Sequence, residues 1–353
     1  MSYDLSPQVI EQRRLAYDEL TRRYGQREAT RYEEATIGVQ HEENFHYRPL
    51  WNPAIEIYDP SMTRLKLADW YSFLDPRQFY YGPYNQARNK SMENLDSQLA
   101  YANERAMLDK IAGDWRNIFL SYLLPLRHYE YGGTTVMTYV ARFAYGTSIE
   151  QCASFNAFDK TGNSQIITKF ALMLPNADQL LEEGKRRWME APHLQPLRSL
   201  VEHTWLITDW AEAIFVQNLL LDPLLYTLLY QEFDRVALEN GALAVTFIHK
   251  YMNDWLKDNS RWTTALVEAF LNDDQHGEAN RQAIQQMLDG WRPKVEESLR
   301  PLGVIFEMPQ VKGNFEASWQ QATQNLDHHL ERLGLNVATE MPATNKMPAT
   351  LAG

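Results

Sequence analysis

The fold is decided by residues 206–233, which read LITDWAEAIFVQNLLLDPLLYTLLYQEF. Apolar residues cover nearly every face of this segment, as in a helix at the centre of a bundle. Pro223 lies inside it, where the missing N–H and the bulky ring predict a kink or an interruption. Residues 134–158, TTVMTYVARFAYGTSIEQCASFNAF, have a similarly buried character. Two long apolar helices of this kind predict the core of a helical bundle.

The rest of the chain beyond about residue 90 also follows a helical pattern, with apolar residues at spacings of three and four and breaks at Gly or Pro. Short alternating runs of Val, Ile and Thr, which would indicate strands, are nearly absent. The pattern therefore predicts a mainly α protein. Its predicted helices lie near residues 90–112, 114–130, 134–159, 163–174, 177–190, 194–231, 241–257, 260–272, 277–291, 293–301 and 315–334.

The two ends of the chain differ from this pattern. In residues 1–89 closely spaced prolines prevent long helices, while the aromatic side chains between them are costly to leave in water. We expect an extended arm with a short first helix, laid over the chain itself or over a partner. Residues 90–335 form the predicted helical domain. Residues 336–353 contain MPAT twice without apolar periodicity and predict a disordered tail.

The composition argues against several classes of function. A formal charge of -12 disfavours binding to a phosphate backbone, which draws its affinity from clustered Lys and Arg. Cys152 is the single cysteine, so neither an internal disulfide nor a Cys-rich zinc site can form. No apolar run has the length of a spanning helix or the form of a secretion signal. We therefore expect a soluble cytoplasmic protein that binds neither nucleic acid nor membrane.

One short motif suggests a metal site. Glu43 and His46, in ENFHYRPLW (43–51), have the Glu-x-x-His spacing from which di-iron carboxylate bundles are built. Such a centre needs two of these motifs, and the chain contains only this one. Pro49 also disfavours helical backbone just before it, so the two side chains are not expected to share a helix face. We interpret His46 as part of an aromatic docking segment.

The other candidates for chemistry have structural explanations. Adjacent residues on a helix point about 100 degrees apart, so neighbouring histidines cannot chelate one metal. A histidine near a helix end is more often a core or capping residue than a ligand. The residues interpreted in this way are His128 with Glu130, His328 with His329, His249 and His276. Cys152 falls mid-helix among apolar neighbours, where an unactivated thiol packs as a small hydrophobe.

Several strings together resemble one known family. They are NFHYRPLW (44–51), DPRQFYYGPYNQAR (75–88), LPLRHYE (124–130) and VQNLLLDPLLYTLLYQEFD (216–234). These strings are similar to the β subunit of bacterial phenol hydroxylases, which are soluble di-iron multicomponent monooxygenases related to toluene and methane monooxygenase. The resemblance runs over about residues 17–335 and does not include the tail.

The resemblance implies a hydroxylase of α, β and γ chains paired into a dimer of trimers. The α and β chains would be diverged copies of one ferritin-like, ribonucleotide reductase-like bundle, with the di-iron centre in α alone. The assembled enzyme would insert one oxygen atom from O2 into an aromatic ring, as in the conversion of phenol to a catechol. Electrons from NADH would arrive through a separate reductase with FAD and a 2Fe-2S cluster, and a regulatory component would act on the complex.

The positions that carry iron ligands in α-type chains hold unsuitable residues here. In α-type chains one Glu-x-x-His precedes a Gln-Cys-Ala stretch, a lone Glu precedes an Asn-Pro, and a second Glu-x-x-His follows. The two buried helices concerned are instead filled with Leu, Phe and Tyr. The residues placed at those positions are Tyr145 and Ser148 before QCA (151–153), Gln217 six residues before Pro223, and Asp254 with Lys257 in KYMNDWLKD (250–258).

Residues and resemblance together predict a non-catalytic structural β subunit with no catalytic, cofactor or metal residue of its own. Its arm would wrap a partner, with aromatic anchors and with two arginines paired to partner carboxylates. The candidate interface residues are Phe45, Tyr47, Arg48, Trp51, Arg77, Phe79, Tyr80 and Tyr81. Two alternatives stay open, a self-contained ferritin-like di-iron oxidase and a non-enzymatic helical interaction protein. The sequence leaves the substrate open.

Overall fold

The computed structural model describes residues 18–25, 27–50, 52–111 and 114–336. Helices are the regular secondary structure of this part, and no strand occurs in it. The helices are α1 Asp18–Tyr24, α2 Arg31–Thr36, α3 Tyr81–Glu104, α4 Trp115–Ser121, α5 Leu126–Phe143, α6 Thr147–Leu172, α7 Ala177–Glu190, α8 Gln195–Thr204, α9 Trp210–Glu239, α10 Leu243–Leu271, α11 Gly277–Leu299 and α12 Phe315–Arg332. Trp51 and residues 337–353 of the predicted tail lie outside the described residues.

Helix α9 forms the centre of the bundle, as its sequence predicts. Every residue from Ala213 to Tyr230 is buried except Pro223. The helix is long and apolar enough to cross a membrane, but 94% of its most apolar window is buried inside the bundle, as in the core helix of a globular protein. The sequence predicts a kink or an interruption at Pro223, and the interruption does not occur, because the helix is continuous through that residue. Stretches of π-helix at Phe215–Leu221 and Thr227–Glu232 lie on either side, and this wider hydrogen-bond pattern accommodates the missing N–H.

Two glycines in α5 have a different role from the predicted one. Gly132 and Gly133 were expected to separate the predicted helices at 114–130 and 134–159, yet α5 runs through both. His128 therefore lies in the first turn of a helix rather than near the C-terminal end of one. A Cβ atom at Gly132 would lie 2.4 Å from Cγ1 of Val201 on α8, and one at Gly133 would lie 3.1 Å from Cδ of Lys160 on α6. The glycines therefore allow α5 to approach its neighbours closely.

The break that the pattern missed lies between α5 and α6. Residues 134–159 do not form one helix, because Gly146 adopts φ of 92° at the start of α6. Left-handed backbone of this kind favours glycine. The arm stabilises this turn, since Gln40 donates to Ala144 O at 3.0 Å and accepts from Gly146 N at 2.7 Å. α5 and α6 thus form a tightly packed hairpin.

The remaining boundaries differ from the prediction for local reasons. The predicted helix at 194–231 is divided into α8 and α9 by Asp209, whose carboxylate caps α9 by accepting from Ala211 N and Glu212 N. Conversely, the segments predicted separately at 241–272 and 277–301 merge into the continuous helices α10 and α11, and α11 contains Pro293. Propensity alone does not decide whether a helix continues, because packing can override it.

Much of the arm packs on the chain's own bundle. Leu65, Leu67 and Phe73 are buried in the main hydrophobic core. The arm backbone is also tied to the bundle, because Lys66 N donates to Asn280 Oδ1 at 2.9 Å and Ala68 N donates to an oxygen of Asp273 at 2.7 Å. Helix α3 begins at Tyr81, ahead of the predicted start near residue 90. The segment at residues 41–50 differs from the rest of the arm, since most of its residues are exposed.

Candidate functional site

A group of ionisable side chains lies at the centre of the bundle, where α5, α6, α9 and α10 meet. Lys160, Glu130 and Asp222 are all fully buried. The ammonium Nζ of Lys160 lies 2.6 Å from Oδ1 of Asp222 and 3.1 Å from Oε2 of Glu130. The lysine on α6 therefore joins a carboxylate on α5 to a carboxylate on α9. We call these three residues the central charge cluster.

Aromatic rings surround the ammonium group. Its nitrogen lies 4.9 Å from the ring centroid of Tyr129, 5.1 Å from that of Tyr226 and 4.8 Å from that of Trp255 on α10. The faces of such rings are negative and attract a desolvated cation. Burying a charge in a dry core is costly unless it is paired, and Lys160 is compensated by two carboxylates and three rings.

Side chains donate to both oxygens of Glu130 and to Oδ1 of Asp222, whereas Oδ2 of Asp222 is buried without a hydrogen-bond partner among the described residues. Tyr129 donates to Oδ1 of Asp222, and Gln217 donates to the same oxygen at 2.8 Å. Tyr226 donates to Oε1 of Glu130 at 2.6 Å. Burial raises the pKa values of both tyrosines well above the ordinary value, so they stay neutral donors at neutral pH.

One negative charge is in excess if all three members of the central charge cluster are ionised. Burial raises the pKa of Glu130, Lys160 acts to lower it, and Asp222 acts to raise it further. Burial is the largest of the three effects and determines the direction. Glu130 therefore holds a proton more readily than it would in water.

The donor set of the cluster does not fit a di-iron centre. A fixed ammonium occupies the space between the carboxylates, and a cation there would repel a metal ion. A di-iron bundle site also requires histidine nitrogen ligands. Within the described ranges of the chain, no three His, Cys, Asp or Glu residues form a group that could hold a metal ion.

The buried histidine of α10 is engaged elsewhere. Nδ1 of His249 lies 2.8 Å from Oδ1 of Asp234, and Nε2 lies 2.9 Å from the hydroxyl of Tyr122. Both ring nitrogens therefore have partners inside the chain. This is the structural role that the sequence analysis expects for His249.

The residues placed at α-type ligand positions do not meet around one point. Gln217 alone lies beside the central charge cluster. Tyr145 precedes α6 and packs against Trp70, with ring centroids 5.2 Å apart. Ser148 is buried near the start of α6.

Asp254 and Lys257, the residues placed at the second Glu-x-x-His position, are both exposed on α10. The face of α10 that points into the bundle carries Trp255, whose ring contacts Lys160. These two residues therefore do not line the centre of the bundle.

The sequence patterns do not reveal the central charge cluster. They single out Glu130 only beside His128 and Asp222 only beside Pro223, and they assign no role to Lys160. The sequence carries one signal for such a cluster, which is an ionisable residue inside a helix that is apolar on nearly all faces. A charge at such a position is buried and must find a partner. That signal marks Asp222 within residues 206–233 but does not identify its partner.

Two of the candidate interface residues are buried in the chain itself. The side chain of Arg77 is 2% exposed and lies 3.0 Å from Asp75 and 3.5 Å from Asp258. Phe79 is buried against Tyr84, with ring centroids 5.9 Å apart. Arg77 and Phe79 therefore belong to the interior, and a partner carboxylate cannot reach Arg77 without displacing its own acids.

The other candidates in the arm differ in exposure. Tyr47 is 81% exposed and Tyr81 is 77% exposed, whereas Tyr80 is half-buried. Phe45 is half-buried and packs edge-on against a ring of its own arm. Arg48 pairs with a glutamate within the arm, at 2.9 Å. Exposed aromatic residues of this kind are typical of interfaces, and Trp51 lies outside the described residues.

The motif at Glu43 and His46 is not helical. Residues 39–50 adopt no regular helix, and Asn44 between the two side chains has φ of 62°. Both side chains are exposed. The expectation that they do not share a helix face agrees with this geometry.

The fold and the central charge cluster define the class: a ferritin-like helical bundle of the di-iron hydroxylase type, with a lysine at its centre. A family model described as methane/phenol/alkene hydroxylase matches residues 51–274, and the chain belongs to that family. The resemblance inferred from the sequence is thereby confirmed.

Individual relatives agree over nearly the whole chain. The oxygenase component of phenol 2-monooxygenase from Pseudomonas sp. strain CF600 is 35% identical, covering 91% of this chain and 98% of that protein. The hydroxylase component small subunit of propane 2-monooxygenase from Rhodococcus jostii strain RHA1 is 27% identical, covering 89% and 88%. The solved structure of phenol hydroxylase from Pseudomonas sp. OX1 matches with a TM-score of 0.85 at 33% identity, covering 93% and 98%. The match confirms the predicted mainly α, ferritin-like fold.

Proposed function

We propose that this chain is the non-catalytic β subunit of the hydroxylase component of a phenol hydroxylase-like monooxygenase. Its relatives are components of multisubunit hydroxylases, and a scaffold role fits a bundle whose centre is filled by its own charges. The reaction proposed for the assembled enzyme is aromatic ring hydroxylation with O2 and NADH, of the type that converts phenol to a catechol.

The observation that carries this proposal is the position of Lys160. The ammonium lies between Glu130 and Asp222, where it compensates two carboxylates that would otherwise attract a metal cation. Both carboxylates at the centre of the bundle are therefore paired with a cation of this chain, although Oδ2 of Asp222 has no hydrogen-bond partner among the described residues. Chemistry at iron would belong to the α subunit, which is the proposed holder of the di-iron centre.

The proposed assembly contains α and γ subunits beside this chain, as a dimer of αβγ trimers in the cytoplasm. A separate reductase with FAD and a 2Fe-2S cluster would deliver electrons, and a regulatory component would act on the complex. Among the aromatic interface candidates that the structure describes, Tyr47 and Tyr81 are the most exposed. We keep Trp51 as a proposed contact because it follows the exposed segment directly.

Two measurements test the proposal. Iron analysis of the chain purified alone should find far less than one iron per chain, whereas the chain co-expressed with α and γ should elute with them and with iron in the complex. About two irons in the isolated chain would favour the self-contained oxidase. A native chain that never co-elutes with an α-type subunit would instead favour the free-standing interaction protein.

A further inference from the structure

A groove on the far side of α5 is lined by no residue of the arm or of the central charge cluster. It has a volume of about 310 Å³ and lies between α5, α7 and α8. Aromatic and apolar side chains form most of its wall. The ones used below are His128, Tyr131, Trp188, Met189 and Trp205.

Several of these apolar groups are open to solvent. Tyr131 is 63% exposed, Trp205 is 47% exposed and Met189 is 46% exposed. Trp188 forms the buried floor and stacks on His128, with ring centroids 6.2 Å apart. Aromatic residues and methionine are the types enriched at protein interfaces.

The geometry of the wall is held by α5 and α8. The indole N–H of Trp205 donates to the carbonyl of Gly132 at 3.2 Å. The close approach of the two helices at Gly132 keeps the indole against α5. The indole of Trp205 is therefore held in place, so little of its conformational freedom is lost when a partner covers it.

Two cations without acid partners lie beside the groove. Arg127 is half-buried one turn before Tyr131 on α5, and its side chain makes no hydrogen bond or ion pair with the described residues. Burial lowers the pKa of Arg127, and no carboxylate opposes this effect. Lys185 lines the groove and has no ion pair within the same residues.

Both cations affect the pKa of the histidine in the groove wall. Burial, together with smaller effects of the charges of Arg127 and Lys185, lowers the pKa of His128 to about 4. His128 is therefore a neutral wall residue at neutral pH. The acid among the described lining residues, Glu202, is paired with Arg198 at 2.8 Å. The local field is positive although the chain as a whole carries a charge of -12.

We propose that this groove binds an acidic segment of another hydroxylase subunit, which places an apolar or aromatic side chain between Tyr131 and Trp205 and a carboxylate against Arg127 and Lys185. The unpaired positive charges of Arg127 and Lys185 favour an acidic partner, because a half-buried guanidinium without a counter-ion is stabilised most by a carboxylate. This inference rests on the proposed function, because it takes the partner from the same assembly.

Photocrosslinking in the assembled hydroxylase identifies the occupant. Tyr131→p-benzoylphenylalanine places the probe in the groove wall, and Gln320→p-benzoylphenylalanine places it on an exposed position of α12 as a control. We expect the Tyr131 probe alone to form an adduct with an Asp- and Glu-rich peptide of a different subunit. The proposal is overturned if the adduct forms with a second copy of this chain or with a peptide that lacks acidic residues, or if no adduct forms.

Charge variants measure the interaction. Arg127→Ala combined with Lys185→Ala should raise the dissociation constant of this chain from the complex roughly tenfold and flatten its dependence on salt, since the attraction is screened by ions. Lys250→Ala combined with Lys257→Ala removes the same charge from exposed positions of α10 and should change neither quantity. Equal weakening by both pairs, or by neither, contradicts the proposal.

The aromatic contribution needs a variant that keeps the fold. Trp205→Ala should weaken assembly by roughly thirtyfold if the indole is an anchor, and Trp205→Phe should recover part of that loss because it retains the ring. Far-ultraviolet circular dichroism of each isolated variant checks that α8 is intact. If the wild-type chain does not assemble with α at all, the proposed function fails; if it assembles but every groove variant behaves as wild type, this inference alone fails.

Discussion

Replacing Lys160 with methionine tests whether an internal cation stabilises the centre of the bundle. Methionine keeps an unbranched side chain but removes the charge, so Glu130 and Asp222 lose their shared partner while both remain buried. Breaking a buried ion pair typically costs about 3–5 kcal/mol, because the remaining charge is uncompensated. The Lys160→Met variant should therefore lose a large part of the roughly 5–15 kcal/mol that stabilises a folded protein.

A matched variant separates lost charge from lost packing. Glu130→Gln, Lys160→Met and Asp222→Asn together remove all three charges and leave side chains of similar shape. We expect this triple variant to be more stable than Lys160→Met alone, because neutral groups are less costly to bury than an unpaired carboxylate. Urea unfolding of each purified chain, followed by circular dichroism, gives the free energies if the slopes are equal. A loss below about 1 kcal/mol in Lys160→Met, or a triple variant no better than the single one, would refute the reasoning.

The pH dependence gives an independent check on the same substitution. Lys160 lowers the pKa of Glu130 against the effect of burial, so removing the lysine should leave that pKa higher still. A folded-state pKa above the unfolded one contributes stability that is present at low pH and is lost as pH rises through the folded value. The cost of Lys160→Met should therefore be smaller near about pH 5 than near about pH 8. Adding Glu130→Gln and Asp222→Asn together should abolish this difference, and a pH-independent cost of Lys160→Met would contradict the assignment.

The remaining predictions concern close packing and the arm. Gly133→Ala should destabilise the chain by about 1–3 kcal/mol, because the new methyl group would lie 3.1 Å from Lys160. Gly162→Ala is the control in α6, where a methyl group would have nothing within 4 Å, and it should stabilise the chain by up to about 1 kcal/mol. Thermal melts compare the two variants. Tyr47→Ala should weaken co-elution with α in size-exclusion chromatography, since that ring is 81% exposed in the free chain. Glu43→Gln should leave the iron content of the complex unchanged, and metal analysis checks this.

Much of the bundle can be predicted from sequence because apolar periodicity is a local property. Residues 206–233 indicate a central helix before any contact is known, and α9 lies there. The helix ends are less accessible, because Gly and Pro act according to their surroundings. Gly146 ends a helical run through its positive φ, whereas Gly133 lies in mid-helix against Lys160 and Pro293 lies inside α11. The residue type alone does not distinguish a Gly or Pro that ends a helix from one that lies inside it.

The central charge cluster is not accessible from one sequence for a different reason. Glu130, Lys160 and Asp222 lie far apart along the chain, on three helices whose mutual orientation follows from packing. Their partnership is therefore a property of the tertiary structure. The burial of Arg77 and Phe79 within the chain is inaccessible for the same reason, because an aromatic and basic motif has the same spacing whether it faces a partner or the chain's own core.

The two π-helical stretches of α9 have a consequence for how this helix can change. Each residue of a regular helix advances the side-chain direction by about 100 degrees, so a π-helical stretch offsets the rotational phase of everything that follows it. The turn that contacts α5, the Asp222 turn and the segment that contacts α12 can thus each face a different neighbour along one continuous helix. Winding Phe215–Leu221 as regular helix at unchanged length would rotate Asp222 away from Lys160. The hydrogen-bond pattern, as much as composition, is therefore constrained in α9.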